Sequence, residues 1–332
     1  MNLLRSAMMR MLARIGLSIV MALVTASPSL GAVASSATAA VPPWTPDPQA
    51  VGDDDPAFIR IDAIGNAPDP RNSAEVPGIG AVPYSYRIAK YEVTNREYVA
   101  LLNAVAVTAD SSRLYDEQMT VDRLGGIERS GDAGAYRYAI KEGMAEMPVN
   151  FVCFDNAVRF CNWQHHGRPT GAPGASTTED GAYAITNGTM VGPRKPGARC
   201  FLPSENEWYK AAYFDPAKDG PGKAGYWQYP TRSDTPPKGS KPDPTGVNVA
   251  NLNGAAGGLT DVGAYPLAKS AYGVFDLVGN VTEWNETLVG RARGERGGGY
   301  KHAVDHALAS FRTRRGGPFN RKGVIGFRIA KP

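Results

Sequence analysis

FDLVGNVTEW, the segment Phe275-Asp276-Leu277-Val278-Gly279-Asn280-Val281-Thr282-Glu283-Trp284, is the most regular stretch of the chain. Apolar residues alternate with a glycine, an amide and two carboxylates, and an aromatic closes it. Asp276 and Glu283 supply hard anionic oxygens, and Gly279 lets the intervening backbone turn its carbonyls inward. A calcium ion takes six to eight oxygens, several of them from the main chain. The same residues also read as a tight turn with an N-cap aspartate and a core tryptophan. The spacing is not that of an EF-hand loop, so both readings stand at this point.

The surrounding chain of 332 residues has room for one large domain or two ordinary ones. Hydrophobic residues make up 42% and charged residues 20%, enough for a packed core, while 38 glycines and 26 prolines point to a loop-rich fold with little regular structure. The net charge of +4 includes Arg5, Arg10 and Arg14, the only charged residues of segment 1–40, which leaves +1 for residues 41–332. No basic field marks a nucleic-acid partner. Segment 1–40 has a basic start, an apolar run at Ile15–Val24 and A-x-A patterns at Ala32–Ala34 and Ala37–Ala39, the plan of a secretory signal peptide. The ten-residue run is short for a bilayer span. The expectation is an exported protein, periplasmic or extracellular, with no stable membrane insertion after signal cleavage. Residues 41–56 read as a linker and 57–332 as the domain. Cys153, Cys161 and Cys200 allow at most one internal bridge with one thiol left over, or three small buried side chains.

Along the domain, Ala57–Ile64 and Tyr84–Tyr91 alternate as strands. Thr94 with Glu97 forms a capping box ahead of a helix that carries Tyr98, Leu101 and Leu102 on one side. Asp155–Trp163 predicts a second helix. Ser204 with Glu207 caps a third, with Trp208 turned inward. Arg199–Leu202, Phe311–Arg315 and Gly326–Ala330 read as further strands, and Gly167–Gly192 as an insertion.

The landmarks YEVTNREY (Tyr91–Tyr98), MPVNFVCFDNAVRFCNW (Met147–Trp163), FLPSENEW (Phe201–Trp208), YGVFDLVGNVTEW (Tyr272–Trp284), RGGGY (Arg296–Tyr300) and GFRIA (Gly326–Ala330) occur in this order. Their order and content resemble the formylglycine-generating enzyme, or sulfatase-modifying factor, family over roughly residues 57–332. The resemblance implies an α+β fold related to the C-type lectin fold, with low regular secondary structure and structural calcium. It implies that Asp276, Leu277, Gly279, Val281 and Glu283 line one calcium, with Leu277, Gly279 and Val281 giving backbone oxygens. It places a second calcium on the loop beginning at Asn251-Leu252.

The family's enzyme uses two cysteines after its RGGSY segment to bind copper and carry the redox step. Here those positions are His302 and Ala307, the serine of that segment is Gly299, and the active-site tryptophan is Thr282. Thiolate pairs suit soft Cu(I), so without them the inherited chemistry is not expected. His302 and His306, four apart, are candidates for a copper or iron site with Asp305 nearby, or are two surface histidines. The basic group Arg312, Arg314, Arg315, Arg321 and Lys322 reads as a grip for a carboxylate or sulfate, or as a solvated face. Two functions compete. One is a calcium-stabilised binding or accessory module for a peptide or glycan ligand. The other is an oxidoreductase with a non-haem metal at His302 and His306.

Overall fold

The computed structural model describes residues 55–72, 76–313 and 317–332. The expected signal peptide and nearly all of the expected linker lie outside these residues. Three helices dominate: Asn95–Val105, Phe154–His165 and Glu205–Tyr213. The strands are short, the longest being the eight residues Thr282–Val289. The result is an α+β domain of low regular secondary structure.

Two of the helices begin where their capping signals lie. Thr94 and Glu97 bond each other's backbone N–H groups, and Ser204 and Glu207 do the same. Each box satisfies two of the amide donors that the first turn would otherwise leave open. The helix Phe154–His165 begins at Cys153, whose side chain makes no capping bond, and Asp155 sits inside its first turn. All three helices press apolar faces into one core. Tyr98 stacks on Phe160 with ring centres 6.2 Å apart, and Phe160 meets Phe327 edge-on at 5.4 Å. Trp208 and Trp284 are fully buried.

Two three-stranded sheets hold the domain's ends and its centre. In the first, Tyr86–Ala89 pairs antiparallel with both Phe58–Ile61 and Ala330–Lys331, which ties the start of the domain to its end. In the second, Thr282–Val289 is central, antiparallel to Ala292–Arg296 and parallel to Ile325–Phe327. Glu283 lies opposite Arg296 and Trp284 opposite Glu295. Because side chains alternate across a strand, Thr282, Trp284 and Glu295 share one face of this sheet. Glu283 and Arg296 share the other.

Three expected strands differ. Arg199–Leu202 shrinks to a single bridge between Phe201 and Ala330. Phe311–Thr313 is not extended into a ladder, and the remainder of that segment lies outside the described residues. Gly326–Ala330 divides into two strands belonging to different sheets. The break falls at Arg328 and Ile329. Here the backbone leaves its partner Thr282–Trp284 and passes to Ile88 and Phe201, while the buried Arg328 side chain reaches carbonyls and a carboxylate between the two sheets. Among the described residues, no helix is long and apolar enough to cross a membrane.

Candidate functional site

The segment Phe275–Trp284 runs as a loop up to Thr282 and enters the central strand there. Asp276 and Asn280 adopt positive φ, both 56°, and Gly279 has φ 83°. Gly279 forms a bridge to Asn251, and a Cβ at position 279 would sit 2.2 Å from the Asn251 carbonyl oxygen. Only glycine fits both the backbone angle and that approach. The Asn251-Leu252 loop and the 275–284 loop, which the resemblance assigns to separate calcium ions, are thus in direct contact.

Each implied calcium ligand can be placed. Glu283 is fully buried, and both of its oxygens accept bonds from the equally buried Arg328 guanidinium at 2.6 Å. Trp208 Nε1 donates to the same carboxylate at 2.8 Å. Arg328 also donates to the carbonyls of Phe275 at 2.9 Å and Ala89 at 3.0 Å. An internal cation therefore already neutralises Glu283, and the carboxylate does not present the open oxygen pair that calcium takes. Asp276 Oδ2 accepts the Gly263 N–H at 2.6 Å. Beside it, Glu92 is buried with neither carboxyl oxygen bonded to a donor. Burial and the neighbouring Asp276 push the Glu92 carboxyl well above its ordinary range, and burial pushes Asp276 up to about 6. Three carboxyl groups (Glu92, Asp276 and Glu283) face one guanidinium here. Full ionisation would leave two uncompensated negative charges, which either protons or one divalent cation would balance. The Asn251 Oδ1 is likewise buried and unpartnered. The adjacent carboxyls of Asp276 and Glu92 thus fit a hard cation, and the Asn251 oxygen is open on its own loop, while Glu283 as arranged does not fit one. Leu277 and Val281 are buried core residues, as is Leu252. Among the described residues, no group of three or more His, Cys, Asp or Glu side chains is arranged to hold a metal.

The positions corresponding to the family's thiolates lie after the glycine-rich turn. His302 and His306 stack with ring centres 4.5 Å apart and planes 13° from parallel, His306 being part of the short 3₁₀ turn Val304–Ala307. Lone pairs in two such planes do not converge on one ion. His302 Nδ1 accepts the Gly299 N–H at 2.8 Å, which places the proton of the neutral ring on Nε2. Burial, with His306 and nearby lysines, lowers the His302 pKa to about 4, so the ring is neutral. Ala307 is fully buried in a small apolar cluster with Tyr229, Ala250, Leu252 and Val278. Gly299 is packed so closely that a Cβ would lie 3.0 Å from Val324. The side chains of the basic group are largely committed: Arg312 pairs with Glu205 at 2.7 Å, and Arg321 donates to the Arg113 carbonyl at 2.8 Å. Arg314 and Arg315 lie outside the described residues.

The same neighbourhood holds residues the sequence reading passed over. Glu295 is 6% exposed and its Oε1 has no partner. Burial pushes its carboxyl up to about 7, opposed by Lys322. Thr282, on the same sheet face, has a buried hydroxyl with no partner. Asp155, at the start of its helix, is pushed up to about 6 by burial. Buried polar groups without a protein partner are rare, and ordered water, an ion or a ligand ordinarily completes their bonding. The available signal was the strand alternation that sets Glu295 opposite to Arg296 at the mouth of the glycine-rich turn.

Capped helices on short sheets, a buried Arg–Glu pair behind the GNVTEW strand and a glycine-rich turn carrying histidines define the class, an irregular α+β domain built around these loops. The chain belongs to the sulfatase-modifying factor enzyme 1-like domain family, which matches residues 62–332. Hercynine oxygenase from Mycolicibacterium smegmatis is 38% identical over 91 residues, 27% of this chain and 18% of that protein. The match thus spans less than a fifth of the relative's length. Among solved structures, Treponema denticola variable protein 1 is similar at 17% identity and a TM-score of 0.47, covering 82% of this chain and 94% of that one. PvdO from Pseudomonas aeruginosa is similar at 20% identity and a TM-score of 0.43, covering 76% and 82%.

Proposed function

We propose that this chain is an exported, calcium-stabilised member of its family that lacks the copper and cysteine-pair oxidase activity and serves as a binding or accessory module for a peptide or glycan. The observation that supports this reading is the state of the two positions the oxidase would need. His302 spends its Nδ1 on the Gly299 amide, and Ala307 is sealed in an apolar cluster. The Thr282 hydroxyl and the Glu295 Oε1, on the sheet face that leads into the glycine-rich turn, are buried without a protein partner. Calcium would be held through Asp276, with Glu92 beside it, and through Asn251, and it would supply charge balance rather than chemistry.

The oxidoreductase reading, with copper or iron at His302 and His306, has one observation in its favour, the partial identity with hercynine oxygenase. It requires His302 to release Gly299 and the two rings to unstack. Elemental analysis of the purified protein, after loading with calcium, copper and iron, separates the readings when repeated on His302→Ala. The module reading expects bound calcium, no stoichiometric transition metal and no aldehyde on a CxPxR peptide. One copper or iron per chain that is lost in His302→Ala would overturn it.

A further inference from the structure

We propose that Cys161 and Cys200 join in a disulfide when the chain folds under oxidising conditions, leaving Cys153 as the free thiol. All three cysteines are buried. Cys161 lies on the helix Phe154–His165, one turn before His165. The Arg199 N–H donates to His165 Nδ1 at 3.1 Å, which lays the segment entering Cys200 along the last turns of that helix. On its other side Cys200 is fixed by Phe201, which exchanges both backbone bonds with Ala330 at 2.9 and 2.7 Å. Between these anchors the Cys161 and Cys200 thiols are close enough to act on each other, Cys200 adding to the burial that raises the Cys161 thiol. Closing the bond brings the two sulfurs to ~2.0 Å, between backbone segments already held by the His165 and Ala330 contacts. Cys153 does not compete for Cys161. It starts the same helix, so a rise of ~1.5 Å per residue sets the two about 12 Å apart along the axis, beyond disulfide reach.

The bond would enclose the whole Gly167–Gly192 excursion, tying the helix end to the segment that pairs with the last strand. In the reaction each thiol loses a proton and an electron. The sulfur–sulfur bond of a small disulfide oxidant such as oxidised glutathione breaks as the protein's bond forms, and two glutathione thiols are released. Because both sulfurs are shielded in the folded protein, closure belongs to the folding chain and the finished bond resists reductants in native buffer.

The test unfolds the chain in guanidinium chloride with reductant and returns it to native buffer with reduced and oxidised glutathione. Free thiols are then blocked and the protein digested without reduction. The expected result is one linked peptide pair containing Cys161 and Cys200, a blocked Cys153, and a melting temperature several degrees above that of the reduced protein. Cys153→Ser should leave the linkage and the shift intact, whereas Cys200→Ser should abolish both while keeping the native circular dichroism spectrum. Three blocked thiols after oxidative refolding, or a linkage that includes Cys153, would overturn the assignment.

Discussion

Replacing Arg328 by methionine removes the guanidinium that faces Glu283, Asp276 and Glu92 in a fully buried site. Glu283 must then stay ionised without a partner or take up a proton. Protonating a carboxyl of ordinary pKa at pH 7 costs about 3.7 kcal/mol, at ~1.36 kcal/mol per unit, within the ~3–5 kcal/mol found when one partner of a buried pair is lost. The carbonyls of Phe275 and Ala89 lose donors as well, which adds roughly 1 kcal/mol. The expected loss is therefore about 4–6 kcal/mol at pH 7. At pH 5 the proton costs only about 1 kcal/mol, so the deficit shrinks by more than half. Guanidinium chloride unfolding followed by tryptophan fluorescence reads this directly, since Trp208 and Trp284 are both buried. Glu283→Gln with Arg328→Met should recover most of the loss, because no buried charge is then orphaned. Millimolar calcium should also rescue the single variant, whose Glu283 oxygens are now open; binding at a hundredfold excess over Kd is worth ~2.7 kcal/mol. A deficit under about 2 kcal/mol at pH 7, or an equal deficit at pH 5 and 7, would refute the reasoning.

Gly279→Ala should cost about 2–4 kcal/mol, from its positive φ and from the overlap with the Asn251 carbonyl. Gly273→Ala, with φ 91° but nothing within 4 Å of a Cβ, should cost only about 1 kcal/mol; equal melting temperatures for the two variants would contradict the close approach. Glu295→Gln removes a carboxyl raised to about 7 in the folded state. A raised carboxyl lets the folded state hold more protons, so stability falls as pH rises from about 4 through about 7. The variant should match the parent near pH 4 and exceed it by about 3 kcal/mol or slightly more at pH 8, and parallel stability–pH curves would show that Glu295 is solvated. Ser204→Ala should cost about 1 kcal/mol by opening the capping box of helix Glu205–Tyr213, checked by chemical denaturation.

The parts of the fold legible in the sequence are those set by local rules. Thr94 with Glu97 and Ser204 with Glu207 announce their helices because a capping box is contained within four residues. Alternation announces Tyr86–Ala89 for the same reason. Arg328 was not legible as a cross-link, since its partners lie 45 residues away at Glu283 and 53 at Phe275. The strand expected to pass through Arg328 divides there because its two halves pair with different sheets. At the site, the order of landmarks located the glycine-rich turn and its histidines. Sequence could not show that His302 gives its Nδ1 to Gly299 or that the two rings stack. Glu295 escaped notice because a lone glutamate in a strand is ordinarily solvated, and only pairing with Trp284 reveals the face it occupies.

The central strand Thr282–Val289 separates two kinds of surface, and the contrast bears on where function resides. On the Glu283 side the strands' own charges are paired, Glu283 with Arg328 and Trp208 and Arg296 with Glu205, while Glu92 and Asp276 share that same guanidinium. Buried groups satisfied this fully specify a rigid scaffold. On the opposite side Thr282 and Glu295 are buried without answering groups. Ordered water, an ion or a ligand ordinarily completes the bonding of such groups. A threonine hydroxyl and a carboxyl poised near neutrality both donate and accept hydrogen bonds, as ligand hydroxyls and amides do. Glu295 lies on the strand that leads into the glycine-rich turn, after which His302 and Ala307 stand at the thiolate positions.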